Sequence, residues 1–273
     1  MKRVFDCFIF YNEQEMVKYR LAVLNESVDV FVIVESAVTF IGTPKPFVFD
    51  YEYYNTLYPG KIEYVQLSQL KYAHPDIKTN QQWDNEHFQR DSIMRGMYER
   101  CPTDDDIILL TDVDEIHDPK CIKELRDTIQ HNTVCVLKQK YHSYNLNIVR
   151  DLDWYHPKAF TYATYMTLQR SLSEIRMFGI TQHAPIPLHL MEKGGWHLSY
   201  FGDVDFIQNK IQQFSHQEFN VSSILNASAI AHRIQNGRDI MDRDTITYKS
   251  IPIRNNFYLP PEYNEHLQTY IIY

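Results

Sequence analysis

The first 36 residues constrain the fold more than any other part of the chain. Val4 to Phe10 has the length and the β-branched and aromatic content of a strand, and apolar residues near a 3.6-residue period follow from Glu13 to Leu24. The next run, Val28 to Glu35, is apolar on both faces, which is typical of a buried parallel strand. Strand, helix and strand in this order predict a right-handed βαβ unit.

The same alternation continues to about residue 140. We predict strands at 61–67, from 107 and at 133–138, a long helix over about 80–100, and a helix that Pro119 opens. This pattern predicts a single α/β domain with an open, mostly parallel twisted sheet and helices on both faces. Ligands are expected beyond the carboxyl ends of its strands.

Composition excludes some classes of protein. The net charge of −8 argues against a nucleic-acid-binding protein. No stretch approaches the roughly 20 apolar residues that span a bilayer, and no signal peptide is visible, so a soluble cytoplasmic protein without a transmembrane segment is expected. The four cysteines are scattered and are expected to be free thiols.

The strongest chemical signal is an acidic segment directly after the short apolar strand that begins at Ile107. Asp112 and Asp114 alternate at the end of this strand, so both carboxylates can face one site, and Glu115 follows in the turn. Oxygen ligands of this kind suit Mn²⁺ or Mg²⁺, which take one or two carboxylates together with substrate phosphate oxygens. The segment therefore predicts an Asp-x-Asp metal site of the kind that nucleotide-sugar enzymes use, with a solvated acidic turn as the alternative.

Other residues near strand ends are candidates for binding the nucleotide donor. On the helix before the acidic segment, arginines can supply a guanidinium fork for a diphosphate, although they can equally be surface charges. Residues after the first two strands are placed for a uridine or ribose. The predicted donor-binding residues are Glu13, Arg20, Glu35, Arg90, Asp91, Arg95 and Asp112.

The second half has one pointed local feature, Gly194-Gly195-Trp196-His197. The glycines allow close backbone approach, Trp196 offers a sugar-stacking face, and His197 is a candidate Mn²⁺ ligand. A carboxylate on or near the following helix can deprotonate an acceptor hydroxyl, and the candidates are Asp203, Asp205 and Glu218, with His216 beside them. We accordingly divide the domain into a donor-binding half, 1–140, and an acceptor-binding half, 141–273.

Two other classes of function use similar features. A metal-dependent phosphoesterase or nucleotidyltransferase also clusters carboxylates at strand ends, but it usually needs two metals and more ligands. A non-enzymatic carbohydrate-binding protein would use the aromatic side chains, which include 20 Tyr and 15 Phe, as stacking platforms, although these also suit a Tyr-rich core.

The order of several short blocks resembles glycosyltransferase family 17, the family of the β-1,4-mannosyl-glycoprotein β-1,4-N-acetylglucosaminyltransferases. The resemblance rests on residues 6–13 (DCFIFYNE), 32–36 (VIVES), 39–42 (TFIG), 44–46 (PKP), 112–116 (DVDEI) and 195–197 (GWH).

This resemblance implies a GT-A-like fold, UDP-N-acetylglucosamine as the donor, a divalent metal, and inversion at the anomeric carbon. It implies that Asp112, Asp114 and Glu115 form the metal and diphosphate site, with His197 as a metal ligand or acceptor-side residue. Glu13 and Glu35 would lie on the nucleotide side. The expected acceptor is a hydroxyl of a glycan or of a lipid-linked sugar.

Overall fold

The computed structural model, which describes residues 2–272, confirms the alternation of strands and helices in the first half. The elements there are β1 (Val4–Phe10), α1 (Gln14–Leu24), β2 (Val30–Ser36), α2 (Tyr51–Leu57), β3 (Ile62–Leu67), α3 (Gln81–Asp91), α4 (Ile93–Glu99), β4 (Ile107–Asp112), β5 (Glu115–His117) and α5 (Pro119–Thr128). The predicted long helix over 80–100 is thus two helices. The Ser92 hydroxyl, which lies between them, donates to the carbonyl of Phe88, a bond that bends helices.

The second half contains long strands, short helices and irregular segments. Its elements are β6 (Val134–Ser143), β7 (Ile148–Arg150), β8 (Lys158–Thr161), α6 (Tyr162–Leu168), α7 (Leu172–Arg176), β9 (Leu188–Ser199), α8 (Val204–Gln213), α9 (Ser222–Leu225), α10 (Ala227–Gln235), β10 (Tyr248–Ser250) and α11 (Tyr263–His266). β6 runs across residue 140, where we divide the chain, and the division into two halves stays a prediction.

All the strands belong to one sheet. Its main path runs β10-β7-β6-β8-β4-β1-β2-β3, and β9 pairs with both β5 and β6. The pairs among β3, β2, β1 and β4 are parallel, whereas β8 lies antiparallel between β4 and β6, and β7 and β10 continue antiparallel. The fold is therefore an α/β domain of the GT-A-like kind, but the predicted mostly parallel sheet is mixed. β8 is antiparallel to both of its neighbours, and β9 is parallel to β6 but antiparallel to β5.

Helices cover both faces of the parallel part, as predicted. Along β2 the apolar side chains alternate between two cores, with Phe31 and Ile33 on the face that α1 covers and Val30, Val32 and Val34 on the face that α4 covers. A third apolar cluster joins α8, α9 and α10 to β7. Burial on both faces is what makes the β2 sequence continuously apolar.

The pairing of β5 with β9 decides what surrounds the acidic segment. Glu115 lies opposite His197, and His117 lies opposite Gly195. Gly195 has φ +134°, and a Cβ there would overlap the carbonyl oxygen of Ile116, so only glycine permits this approach. The predicted close backbone approach at the glycine pair is thereby confirmed, and it brings His197 beside the acidic segment.

Two further expectations concern the whole described chain. Cys7, Cys101, Cys121 and Cys135 are all free thiols, as predicted, and Cys101 is exposed. Across residues 2–272, no helix has both the length and the apolar character that crossing a membrane requires.

Candidate functional site

A cavity of about 540 Å³ lies at the carboxyl ends of β1, β2 and β4. This is the edge where ligands bind in open α/β sheets, and the volume is in the range of small-molecule sites. Elements of both halves of the chain line it, including α3, α7, β9 and α8. Five of the residues predicted for metal or donor binding line this cavity. Glu13 lies in the turn after β1, and the other four are Arg90, Asp112, Asp114 and His197.

Asp112 ends β4 and presents its carboxylate to the cavity. Its Oδ1 accepts from Arg90 at 3.1 Å and its Oδ2 accepts from Arg176 at 2.7 Å. The side chain is 33% exposed, whereas both guanidinium groups are nearly buried. Two arginines therefore fix one partly open carboxylate at the end of the strand.

Glu115 lies beneath this pair and is completely buried. Its Oε2 accepts from the Asp112 backbone N–H at 2.8 Å and from Arg176 at 2.9 Å, while Oε1 accepts from Arg176 and from the indole N–H of Trp154. Burial alone raises the pKa of Glu115, but Arg176, with a smaller contribution from the Asp112 N–H among others, lowers the pKa to about 2. The structure does not support the predicted role of Glu115 as a metal ligand, because Glu115 is fully buried and does not line the cavity.

Asp114 faces the cavity from the turn between β4 and β5. Its Oδ2 accepts from the Lys210 ammonium at 3.0 Å, and its Oδ1 lies 3.5 Å from Nε2 of His197. Burial raises the pKa of Asp114, but the neighbouring Lys210 ammonium and the hydrogen-bonding groups around the carboxylate together lower it. Asp114 is consequently ionised at neutral pH and carries the charge that a metal ligand needs.

His197 comes into place through the β5–β9 pairing. Its ring packs against Tyr141, with centroids 4.4 Å apart, and against Trp154, with centroids 4.7 Å apart, and these two rings also contact each other at 5.5 Å. The aromatic walls hold the imidazole with Nε2 toward Asp114. Tyr141 and Trp154 also line the cavity, and neither stands in a motif that sequence reasoning could single out.

Asp114 and His197 fit a Mn²⁺ or Mg²⁺ ion, since they bring one carboxylate and one imidazole together from neighbouring strands. Two protein ligands suffice for such an ion when substrate phosphates complete the coordination. Within residues 2–272, the three-residue group of metal-ligand type lies elsewhere, at the exposed Glu262, Glu265 and His266. The fit at the cavity is thus that of a two-ligand site.

Glu13 and Lys210 link the metal candidates to the first strand. Oε2 of Glu13 accepts from the backbone N–H groups of Tyr11 and Asn12, and Oε1 lies 3.5 Å from the Lys210 ammonium. Burial lowers the pKa of Lys210, but Asp114 and Glu13 outweigh it and raise the pKa, so the ammonium stays charged. Lys210, on α8, was missed from the sequence.

Arg20 does not face the cavity, and the prediction that it binds the donor is wrong. Its guanidinium is fully buried, donates to Asp6 and Thr111, and also donates to the backbone carbonyls of Asp112 and Glu115. It supports the chain that carries the acidic segment, because it satisfies carbonyl groups that would otherwise be buried without a donor.

Glu35 and Asp91 are also used inside the protein. Glu35 is buried, pairs with Lys45, and accepts from the Tyr64 hydroxyl and from the Val48 N–H, so it fixes the loop after β2. Asp91 accepts from the backbone N–H and hydroxyl of Ser173 on α7. The structure does not support the predicted contacts of Glu35 and Asp91 with the donor, because their carboxylate oxygens accept hydrogen bonds from neighbouring segments of the protein.

Arg95 and Trp196 lie outside the cavity. Arg95 is exposed, and its guanidinium carbon lies 5.5 Å from the centre of the Phe88 ring. Trp196 is 3% exposed, and its indole N–H donates to the carbonyl of Tyr258. The burial of Trp196 argues against the predicted sugar-stacking face, because successive residues of a strand point to opposite sides, and His197 has the cavity side.

The three predicted bases are exposed and none of them lines the 540 Å³ cavity as described over residues 2–272. Asp203 caps the start of α8 and borders a smaller cavity of about 260 Å³ that shares Asp114 and Lys210 with the larger one. Glu218 contacts His216 at 2.7 Å, and of these two only His216 lines the main cavity. The role is not supported for Asp205 and Glu218, and for Asp203 it stays a prediction.

Most of the cationic side chains that line the cavity are paired with carboxylates. Six cationic side chains line it, namely Lys45, Arg90, Arg150, Arg176, Lys210 and Arg243. All except Arg150 contact a carboxylate of the protein. The cavity is thus rich in charge, but most of this charge is neutralised in pairs.

Comparison with known protein families decides the class of this chain. The model of glycosyltransferase family 17 matches residues 1–254. The chain belongs to glycosyltransferase family 17. A search of curated proteins gave no match.

Family 17 membership identifies the chain as a glycosyltransferase and favours this class over the phosphoesterase and carbohydrate-binding alternatives. A glycosyltransferase uses a sugar donor and an acceptor.

Proposed function

We propose that this family 17 glycosyltransferase moves a sugar from a UDP-sugar to a hydroxyl of a glycan or lipid-linked sugar, with inversion and with a divalent cation. The proposed donor is UDP-N-acetylglucosamine, on the strength of the family resemblance of the sequence blocks. Asp114 and His197 would hold Mn²⁺ or Mg²⁺, and Asp112 would face the donor.

The charge pairing of the cavity supports the need for a cation. Both oxygens of Asp112 are occupied by arginines, and Lys210 is shared between Asp114 and Glu13. A diphosphate would bring further negative charge into a buried space where the protein's cations are nearly all neutralised. Charges that are poorly screened by water repel strongly, and a divalent cation would offset this charge. When bound, such an ion would neutralise the diphosphate leaving group.

The residues of the chain have separate tasks in this proposal. Arg176 and Glu115 hold Asp112 in one orientation, and the buried Arg20 fixes the backbone on either side of Asp114. Preorganisation of this kind favours catalysis, because the groups need not reorient as charge develops on the leaving group. Trp154 and Tyr141 exclude water around His197.

Thermal unfolding with ligands tests the proposal. We expect UDP and UDP-N-acetylglucosamine to stabilise the protein only when Mn²⁺ is present, by about 2.7 kcal/mol at 100 times the dissociation constant. Asp114→Asn should abolish the Mn²⁺-dependent part. Asp105→Asn, an exposed aspartate at the other end of β4, is the matched control and should behave as the wild type.

Two results would count against parts of the proposal. Equal stabilisation by UDP in the presence of Mn²⁺ and of a chelator would contradict the proposed metal dependence. Greater stabilisation by UDP-galactose or UDP-glucose than by UDP-N-acetylglucosamine would contradict the proposed donor sugar.

A further inference from the structure

Arg150 is the cavity-lining cation whose guanidinium has no ion-pair or hydrogen-bond partner within the described chain. Over residues 2–272 it forms no ion pair and donates no side-chain hydrogen bond, and its Nε is buried without an acceptor. A buried guanidinium N–H that lacks an acceptor is costly to the folded state. An arginine left in this condition in a substrate cavity points to a ligand that supplies the acceptor.

The backbone of Arg150 is held firmly. It is the last residue of β7, which pairs with β6 on one side and with β10 on the other, where Arg150 lies opposite Tyr248. Its guanidinium carbon lies 5.1 Å from the centre of the Tyr141 ring. The group is thus placed by a strand and an aromatic ring rather than by an acidic side chain.

The same Tyr141 ring connects Arg150 to the metal candidates, since Tyr141 also contacts His197, with ring centroids 4.4 Å apart. The guanidinium is therefore one aromatic ring away from His197 and Asp114. Arg90 and Arg176, by contrast, approach from α3 and α7 and are already engaged by Asp112.

We propose that Arg150 binds an oxyanion of the substrate, and this rests on the proposed function of the cavity. The planar guanidinium matches a phosphate or a carboxylate with two parallel hydrogen bonds. Two sources supply this chemistry, namely the diphosphate of the donor and an acidic group on the acceptor. The contact with Tyr141 uses no guanidinium N–H as a hydrogen-bond donor to an acidic group, so these N–H groups can donate to such a ligand.

Calorimetric titration of the full chain with Mn²⁺ tests this inference through binding rather than activity. Arg150→Gln removes the charge and the fork, and Arg150→Lys keeps the charge alone. Arg170→Gln is the control, since Arg170 is an exposed arginine that pairs with Glu174 and does not line the cavity. The donor probes are UDP and uridine. The acceptor probes, added to protein saturated with UDP, are glucuronic acid, glucose 6-phosphate and glucose.

If Arg150 binds the donor, Arg150→Gln weakens UDP binding on the order of tenfold to a hundredfold and leaves uridine unchanged, with a smaller loss in Arg150→Lys. If it binds the acceptor, Arg150→Gln leaves UDP binding unchanged and weakens the binding of the acidic sugars relative to that of glucose. Unchanged affinity for UDP and for both acidic sugars overturns the inference. If the Gln variant does not fold, the Lys variant decides by the same comparison.

Failure of the donor proposal is distinguishable from failure of this one. If the wild-type protein binds no UDP, only the proposed donor is refuted. The affinities of wild type and Arg150→Gln are then compared with inorganic pyrophosphate and the acidic sugars instead of UDP. A wild type that binds UDP as tightly as Arg150→Gln, with no difference for the acidic sugars, refutes the role of Arg150 alone.

Discussion

Arg176→Met would remove the guanidinium that lies between Asp112 and Glu115, and it tests whether a buried ion pair holds the acidic segment. Arg176 is 5% exposed and Glu115 is 0% exposed, with 2.6 Å between Nη2 of Arg176 and Oε1 of Glu115. The variant leaves the Glu115 carboxylate buried beside only the Trp154 indole and the Asp112 N–H.

The expected loss in the free energy of unfolding is about 3–5 kcal/mol, because breaking a buried pair leaves an uncompensated charge. The matched control is Arg170→Met, which removes an exposed pair with Glu174 at 3.2 Å. Exposed pairs four residues apart on a helix contribute about 0.3–0.5 kcal/mol. The two methionine variants should therefore differ by several kcal/mol.

The effect should also depend on pH. With Arg176 present, the pKa of Glu115 is lowered from 4.5 to about 2, so its stabilising contribution is complete above pH 4.5 and is lost as pH falls through about 2. Without Arg176, burial raises this pKa, and protonation at acidic pH removes the buried charge. The difference between wild type and variant should therefore shrink as the pH falls from 7 to 4.

Urea unfolding followed by far-ultraviolet circular dichroism measures these differences, and a double variant separates the partners. Glu115→Gln in the Arg176→Met background should recover part of the lost stability, since it removes the unpaired charge. A loss below about 1 kcal/mol at pH 7, or a loss that does not change with pH, would refute the view that Glu115 is a buried carboxylate held by Arg176.

Three further predictions concern other parts of the molecule. Lys210→Met frees Asp114 from its ammonium partner, so Mn²⁺ titrated without UDP should bind more tightly than to wild type, and equal affinity would contradict the pairing. Gly195→Ala, whose Cβ would meet the Ile116 carbonyl, should cost about 3 kcal/mol or more in urea unfolding, whereas Gly60→Ala, which meets no atom, should cost about 1. A thiol reagent should modify Cys101 alone in the folded protein and all four cysteines after unfolding.

The sequence predicted the parallel part of the fold because its signals are local. The alternation of apolar runs with amphipathic stretches places β1, α1, β2, β3 and β4 within a few residues of their observed bounds. A continuously apolar run such as Val30 to Val34 requires cover on both faces, and the two cores supply it. Local patterns did not report the mixed pairing of the second half, where β6 is parallel to β9 and antiparallel to β8.

The candidate site was predicted less completely than the fold. The position of Asp112 and Asp114 at a strand end was visible in the sequence, but the burial of Glu115 and Arg20 was not. Whether a charged residue faces a cavity or an internal partner depends on groups that come from elsewhere in the chain. Arg176 is 61 residues from Glu115, and no motif marks it.

By itself the sequence determined the alternating elements, the acidic segment after a buried strand, and a glycine pair that permits close backbone approach, because each depends on the period or the size of neighbouring residues. Only the tertiary structure decided which charges are neutralised and which remain free. Lys210 meets Asp114 across 96 residues, while Arg150 meets no acidic group among the described residues. The strength of an electrostatic interaction depends on the distance between the two charges and on how well water is excluded around them. Neither can be predicted from the local sequence.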